Sequence, residues 1–197
     1  GCPVAPAGTA PMDAWCDQRN DGGGWTLVLN YVHQGGTNPE LSILTDRLPL
    51  VGANSLGADE SASSTNWGHA GNALLAQLDV SEVRFFGQST AGRTIDFSTG
   101  HDGCIDYLQT GVGGCHSFQD NFHGLWAQNA NLPRQMDSGR EDKGDYALTD
   151  IPFFRWGAVH WGIKGNGNRW EVDSYPNNDS HDTIHRVYVR SKPTGAS

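Results

Sequence analysis

The sequence predicts an α+β domain of short antiparallel strands, little helix and long loops. Three observations carry that reading. Several runs have the composition or alternation of strands, one stretch has helical spacing, and long intervening segments are dominated by Gly, Ser, Asn and Thr.

In chain order, Gly24-Trp25-Thr26-Leu27-Val28-Leu29-Asn30-Tyr31-Val32 is rich in β-formers and directly follows a Gly-Gly-Gly turn, so it reads as a central strand. From Gly35 to Trp67 the pattern collapses, and a long loop with room for one helical turn is expected. Asn72-Ala73-Leu74-Leu75-Ala76-Gln77-Leu78 carries apolar residues at helical spacing and is the best helix in the chain. Glu82 to Gly87 and Thr94 to Phe97 read as strands, and Gly100 to Gly144 is again loop-rich. Val159 to Ile163 and Ile184 to Val189 are two late strands, with clean alternation over His185-Arg186-Val187-Tyr188-Val189-Arg190. Ordered loops longer than ~12–15 residues are usually functional. One domain is expected over residues 1–191, and 192–197, Lys-Pro-Thr-Gly-Ala-Ser, has linker composition, as in one module of a longer protein.

Charge narrows the partners. Thirteen basic and 22 acidic side chains give a net charge of −9. Nucleic acid and anionic membrane surfaces need clustered Lys and Arg, so both are disfavoured, whereas a hard cation such as calcium suits an acidic chain. The longest apolar run, Trp25 to Val32, is far short of a membrane span. Four cysteines without a C-x-x-C pair point to disulfides and an oxidising, extracellular compartment rather than zinc. Local pairing, Cys2 with Cys16 and Cys104 with Cys115, is expected, and each such loop closure stabilises by about 3 kcal/mol on the chain-entropy view. No Gly-x-Ser-x-Gly, H-E-x-x-H, Walker loop or dinucleotide fingerprint occurs, and no pattern separates an acid from a base, so an enzyme is not expected.

Asp13-Ala14-Trp15-Cys16-Asp17 followed by Asp21-Gly22-Gly23-Gly24-Trp25-Thr26 strongly resembles the opening signature of fibrinogen-like domains. Cys104, then Cys115-His116 and Asn121-Phe122-His123-Gly124-Leu125-Trp126, looks like that family's late disulfide, its Cys-His step and the run after it. Trp156-Gly157-Ala158-Val159-His160-Trp161-Gly162 is similar in place to the closing tryptophan strand. Where those domains carry a calcium loop with several Asp, this chain has Phe97 to Gly103 with one carboxylate, Asp102. The C-terminal quarter resembles a different branch, the intelectins, in which a His, a Gly-rich turn and a Glu eleven residues later surround a sugar-binding calcium. His160 and Glu171 stand eleven residues apart here, across Ile163-Lys164-Gly165-Asn166-Gly167.

The resemblance implies a secreted, calcium-dependent lectin that recognises sugar diols. His160 and Glu171 are the implied core of the metal shell, with Glu141 or Asp142 in place of a further ligand. The residues themselves add to this. Calcium takes six to eight oxygens, and Glu171, Asp173, Asn177, Asn178, Asp179 and Asp182 offer them in one stretch. The other reading of that stretch is a solvated turn-forming loop, and of His160 a hydrogen-bonded strand-end histidine. Trp161, Trp170 and Tyr175 are candidates for the flat ring that covers a sugar's apolar face. His116 resembles the position lining an acetyl pocket in some fibrinogen-like domains. It would form a second ligand pocket with Trp126 and Tyr146, or merely brace the disulfide loop. A second functional class stays open: an extracellular structural or adhesion module whose calcium rigidifies loops and whose ligand is a protein.

Overall fold

A computed structural model of the chain describes residues 12–37, 43–44, 47–49, 68–115, 123–127, 132–133, 135–136, 140–155, 158–163, 170–173 and 180–191. Within them the architecture is mixed α and β. The larger sheet contains β1 (Cys16–Asp17), β2 (Trp25–His33), β3 (Ile43–Leu44), β4 (Gly68–Ala70), β5 (Glu82–Ser89), β6 (Arg93–Thr99), β7 (His123–Ala127) and β12 (Thr183–Arg190). Its order is β3-β4-β2-β12-β5-β6-β7, with β1 paired to β2. Every pairing is antiparallel except β3 with β4. A smaller antiparallel sheet runs β11-β10-β9-β8, from β8 (Gln135–Met136), β9 (Pro152–Arg155), β10 (Ala158–Gly162) and β11 (Glu171–Val172).

The expected strands are present, and β2 is buried at every position. That explains why its sequence is a near-continuous apolar run rather than an alternation. A bulge against β12 places Leu27 opposite Tyr188 but Leu29 opposite Val187, so Val28 is the extra residue. Side-chain facing has period two, so one extra residue switches the faces. Trp25, Leu27 and Tyr188 consequently form their own apolar cluster, while Val28, Leu29 and Tyr31 join the main core. Arg84 lies over that outer cluster, 5.1 Å from the centre of the Tyr188 ring and 5.8 Å from that of Trp25. It donates to Asp96 at 2.7 and 2.8 Å and to Asp17 at 2.8 Å. Burial raises the Asp96 carboxyl, against the pull of Arg84.

The smaller sheet packs on the opposite face. Phe85, Phe97, Phe153 and Trp161 meet there, mostly edge to face, with centroids 4.7–6.3 Å apart. The Trp161 indole N–H donates to the Phe86 carbonyl at 2.9 Å. Gly87 makes the approach possible, because a Cβ there would stand 3.2 Å from both Trp161 and Val172.

The helices differ from expectation. The stretch at Asn72 yields only one turn, α1 (Asn72–Leu75). The longest helix among the described residues is α2 (Asp102–Thr110), inside the region expected to be loop-rich. His101 caps it by accepting from the Gly103 N–H at 3.1 Å, and Gly111, at φ 70°, ends it in the left-handed conformation. Cys104, Ile105, Tyr107 and Leu108 form its buried face. Cys104 and Cys115 are joined as expected, with Cα atoms 4.3 Å apart. Cys16 is also disulfide-bonded; its expected partner, Cys2, lies outside the described residues. No described helix is long and apolar enough to cross a membrane.

Candidate functional site

Two places hold the residues singled out from the sequence. The first is the end of β10 and β11. Gly162 pairs with Glu171, and the Asp173 N–H donates to the His160 carbonyl at 2.6 Å, so His160, Glu171 and Asp173 are carried on adjoining strands. All three are buried. Side chains from the larger sheet hold this backbone in place. His185 Nε2 bonds the Glu171 carbonyl at 3.0 Å, which only an N–H can do. Its Nδ1 is then the acceptor, taking the Thr183 hydroxyl at 3.2 Å. Arg93 donates to the Asp173 carbonyl at 2.8 Å and lies 3.8 Å from its Oδ2. Asp173 takes a left-handed φ of 52°, which turns the chain out of β11.

This geometry corrects the expected ring platform. Trp161 is 0 % and Trp170 2 % exposed. Trp161 belongs to the aromatic core, and Trp170 stacks flat on His33, with centroids 4.2 Å apart and planes 9° from parallel. Neither ring has a face to offer a sugar. The reason is local: Trp161 lies in β10 and Trp170 directly precedes β11, short strands that close over the larger sheet, so their large apolar rings are drawn inward.

The implied calcium shell involves the same residues. Among the described residues, no group of three or more His, Cys, Asp and Glu side chains is placed to hold a metal ion. Asp179, Tyr175 and His116 lie outside the described residues. Trp126 pairs with Asp96 in edge strand β7, with its side chain outside what is described.

The second place is the segment 140–150, docked on the C-terminal end of α2. Glu141 and Asp142 are here, away from β11 in sequence and held by other partners. The Asp142 carboxylate accepts from the Gly113 N–H at 2.7 Å, and its own N–H donates to the Gly113 carbonyl at 2.9 Å. Gly144 N–H donates to the Gly111 carbonyl at 3.0 Å, and a Cβ on Gly111 would lie 2.3 Å from the Gly144 Cα. The Tyr107 hydroxyl donates to the Arg140 carbonyl at 2.9 Å. Burial and the nearby Asp150, Asp142 and Glu141 carboxylates push that phenol's pKa up.

Asp145 fixes the middle of the segment. Its carboxylate accepts from the Asn72 N–H at 2.7 Å, and its carbonyl lies 2.9 Å from His69 Nε2. Nε2 must therefore carry the proton, which leaves Nδ1 to accept the Tyr31 hydroxyl at 2.7 Å. Burial holds His69 down to about 4, against the pull of Asp145, and holds His185 down to about 3. Both imidazoles are neutral at physiological pH. Ala147 and Leu148 anchor the segment in the core, whereas Tyr146 remains 51 % exposed, with Asp142 and Asp145 also at the surface.

His69, His185 and Arg93 help organise the two places and were not singled out from the sequence. The histidines sit in apolar strand contexts that read as ordinary core, and the bonds that matter span long separations. Compared with known proteins, the chain matches no protein-family model and no curated protein.

Proposed function

We propose that the chain is a secreted, calcium-dependent carbohydrate-binding module of fibrinogen-like type that recognises sugar diols on glycans. The observation that supports it best is Tyr146, a half-exposed ring on a segment tied to α1, α2 and β4. A pyranose offers an apolar C–H face for such a ring. Its hydroxyls can donate to the surface carboxylates of Asp142 and Asp145 alongside. Rigid support matters because a ring already held in place loses little entropy when it binds. Tyr146 thus replaces Trp161 and Trp170 as the ring in this reading.

Calcium enters from composition and resemblance, through the oxygen-rich run from Glu171 to Asp182. The test is binding to a glycan array with and without chelator, beside melting curves in calcium and magnesium. Chelator-sensitive binding supports the proposal, with a melting shift from calcium well above that from magnesium, whose tighter octahedron disfavours such a loop. The burial of Trp161 and Trp170 favours the second reading, a structural or adhesion module. A blank array from folded protein that calcium still stabilises would select it.

A further inference from the structure

We infer that His69 is a positioning residue that sets the place of the Tyr146 surface through the relay Tyr31–His69–Asp145. The inference rests on the proposed carbohydrate-binding reading for its functional consequence, but the positioning is testable without a ligand. The relay crosses three elements. Tyr31 on β2 donates to the ring, and the ring, on β4, donates to the main chain of Asp145. Asp145 directly precedes Tyr146, so the bond fixes the peptide from which the exposed ring projects.

The carbonyl of Asp145 can only accept, and His69 is the side chain that bonds it. Losing the donor would leave the carbonyl to turn toward water and take the neighbouring peptide with it. Within the segment the N–H of the same peptide, from Tyr146, donates to the Lys143 carbonyl at 3.0 Å, so His69 supplies its tie to the larger sheet while the other tethers to neighbouring elements act on either side. Asn72 holds the Asp145 carboxylate, and Gly111 and Gly113 hold Gly144 and Asp142. The titratable groups facing His69 are Tyr31 from β2 and Asp145 from the segment, with Tyr146 close enough to influence Tyr31. The α1 residues Asn72, Ala73, Leu74 and Leu75 present none. A proton added at Nδ1 would make the Tyr31 hydroxyl give up its donation and accept instead, and burial of the ring opposes the added charge. The relay accordingly holds its tautomer through mild acid.

Two isosteric variants divide the relay. His69→Gln can place an amide N–H where Nε2 stands, restoring the bond to Asp145. His69→Asn can place an amide oxygen where Nδ1 stands, restoring only the contact with Tyr31. Hydrogen exchange of residues 140–150 is read against β12 in the same sample, which separates local loosening from global unfolding. His69→Leu and His69→Asn should speed exchange in 140–150 at least tenfold relative to β12, and His69→Gln should stay within about threefold of the parent. Equal behaviour of the Gln and Asn variants, or no selective change in His69→Leu, would overturn the inference. On the glycan array, the Leu variant should lose binding about as far as Tyr146→Ala does. An array blank for the parent would remove the carbohydrate reading while the exchange data still decided the relay. Selective exchange with unchanged glycan binding would overturn the functional half.

Discussion

The two histidines that anchor the candidate regions do so in the same way. In each, a hydroxyl donates to Nδ1, from Thr183 to His185 or from Tyr31 to His69, and Nε2 donates to the main-chain carbonyl of an acidic residue, Glu171 or Asp145. The outcomes are opposite. At Glu171 the neighbours Trp170, Trp161 and His160 are drawn into the core, and at Asp145 the next residue, Tyr146, is left at the surface. The difference lies in the supporting backbone. β11 is sandwiched between β10 and the larger sheet, whereas 140–150 lies across the end of α2. A buried histidine therefore marks a fixed backbone in both places; what differs is whether the residue beside it is buried or exposed.

The most severe way to break this comparison is to cut the buried rings. Trp161→Ala removes a fully buried indole and its bond to the Phe86 carbonyl, and should cost ~3–5 kcal/mol in denaturant unfolding. Trp170→Ala should behave alike, losing the stack on His33. A ring serving only as a sugar wall would cost roughly 0.5 kcal/mol or less, so a change that small would return these tryptophans to the surface.

Acid should act on both anchors together. An unfolded imidazole protonates near 6.5, while folded His69 and His185 resist protonation down to about 4 and about 3. Between those values the unfolded chain binds more protons, so stability falls as pH drops through 6.5. At pH 5 the loss should be about 2 kcal/mol for each histidine. Asp17 acts lower: burial raises its carboxyl, but bonds from Arg84, Asn20 and Arg19 bring it to about 2, so its contribution is lost below the histidine window. Urea midpoints from pH 8 to 4.5 measure the histidine part, and His69→Gln should flatten it by about half. A flat profile in the parent protein would show that neither ring is held neutral by burial.

Opening the Cys104–Cys115 loop comes next. It closes a short loop over the first turn of α2, and Cys115→Ala with Cys104→Ala should cost about 3 kcal/mol on the chain-entropy view. Because α2 supports segment 140–150 but not β11, hydrogen exchange should rise more at 140–150 than at β11. Equal loosening at both would deny that the two regions have separate supports.

Much of the larger sheet was legible because local composition carried it: β2 is an apolar run, and β12 alternates. The helices were misread for a local reason as well. The glycines around α2 suggested loop, although Gly111 is its stop signal and Cys104, Ile105 and Leu108 already have helical spacing. At Asn72 the apolar spacing was real, but Gly71 before it and the turn at Ala76 leave room for one turn only. The candidate site was less legible because recognition depends on exposure. Nothing in His160-Trp161 or Trp170-Glu171 tells which way the chain folds over them. Asp145 joins residues from sequence distances of more than seventy, at Asn72 and His69. Residue type identified acids, rings and histidines; only packing distributed them between core and surface.

The smallest expected effect on stability sharpens the comparison most. Tyr146→Ala removes a ring that is half exposed, while the tethers on either side run through the Asp145 carbonyl and carboxylate and through the backbone of Gly144. Its cost in unfolding should therefore be within about 0.5 kcal/mol. If the proposed reading holds, array binding should nevertheless fall by at least tenfold, because in it this ring supplies the apolar contact with the sugar. Tyr146→Phe keeps that face and should retain most of the affinity, which separates stacking from a hydrogen bond through the hydroxyl. Trp161→Phe provides the opposite signature, with measurable loss of stability and unchanged affinity in the folded fraction. If Tyr146→Ala binds glycans as the parent does, recognition lies elsewhere on the molecule, and exposure beside a pinned histidine is not what marks the site.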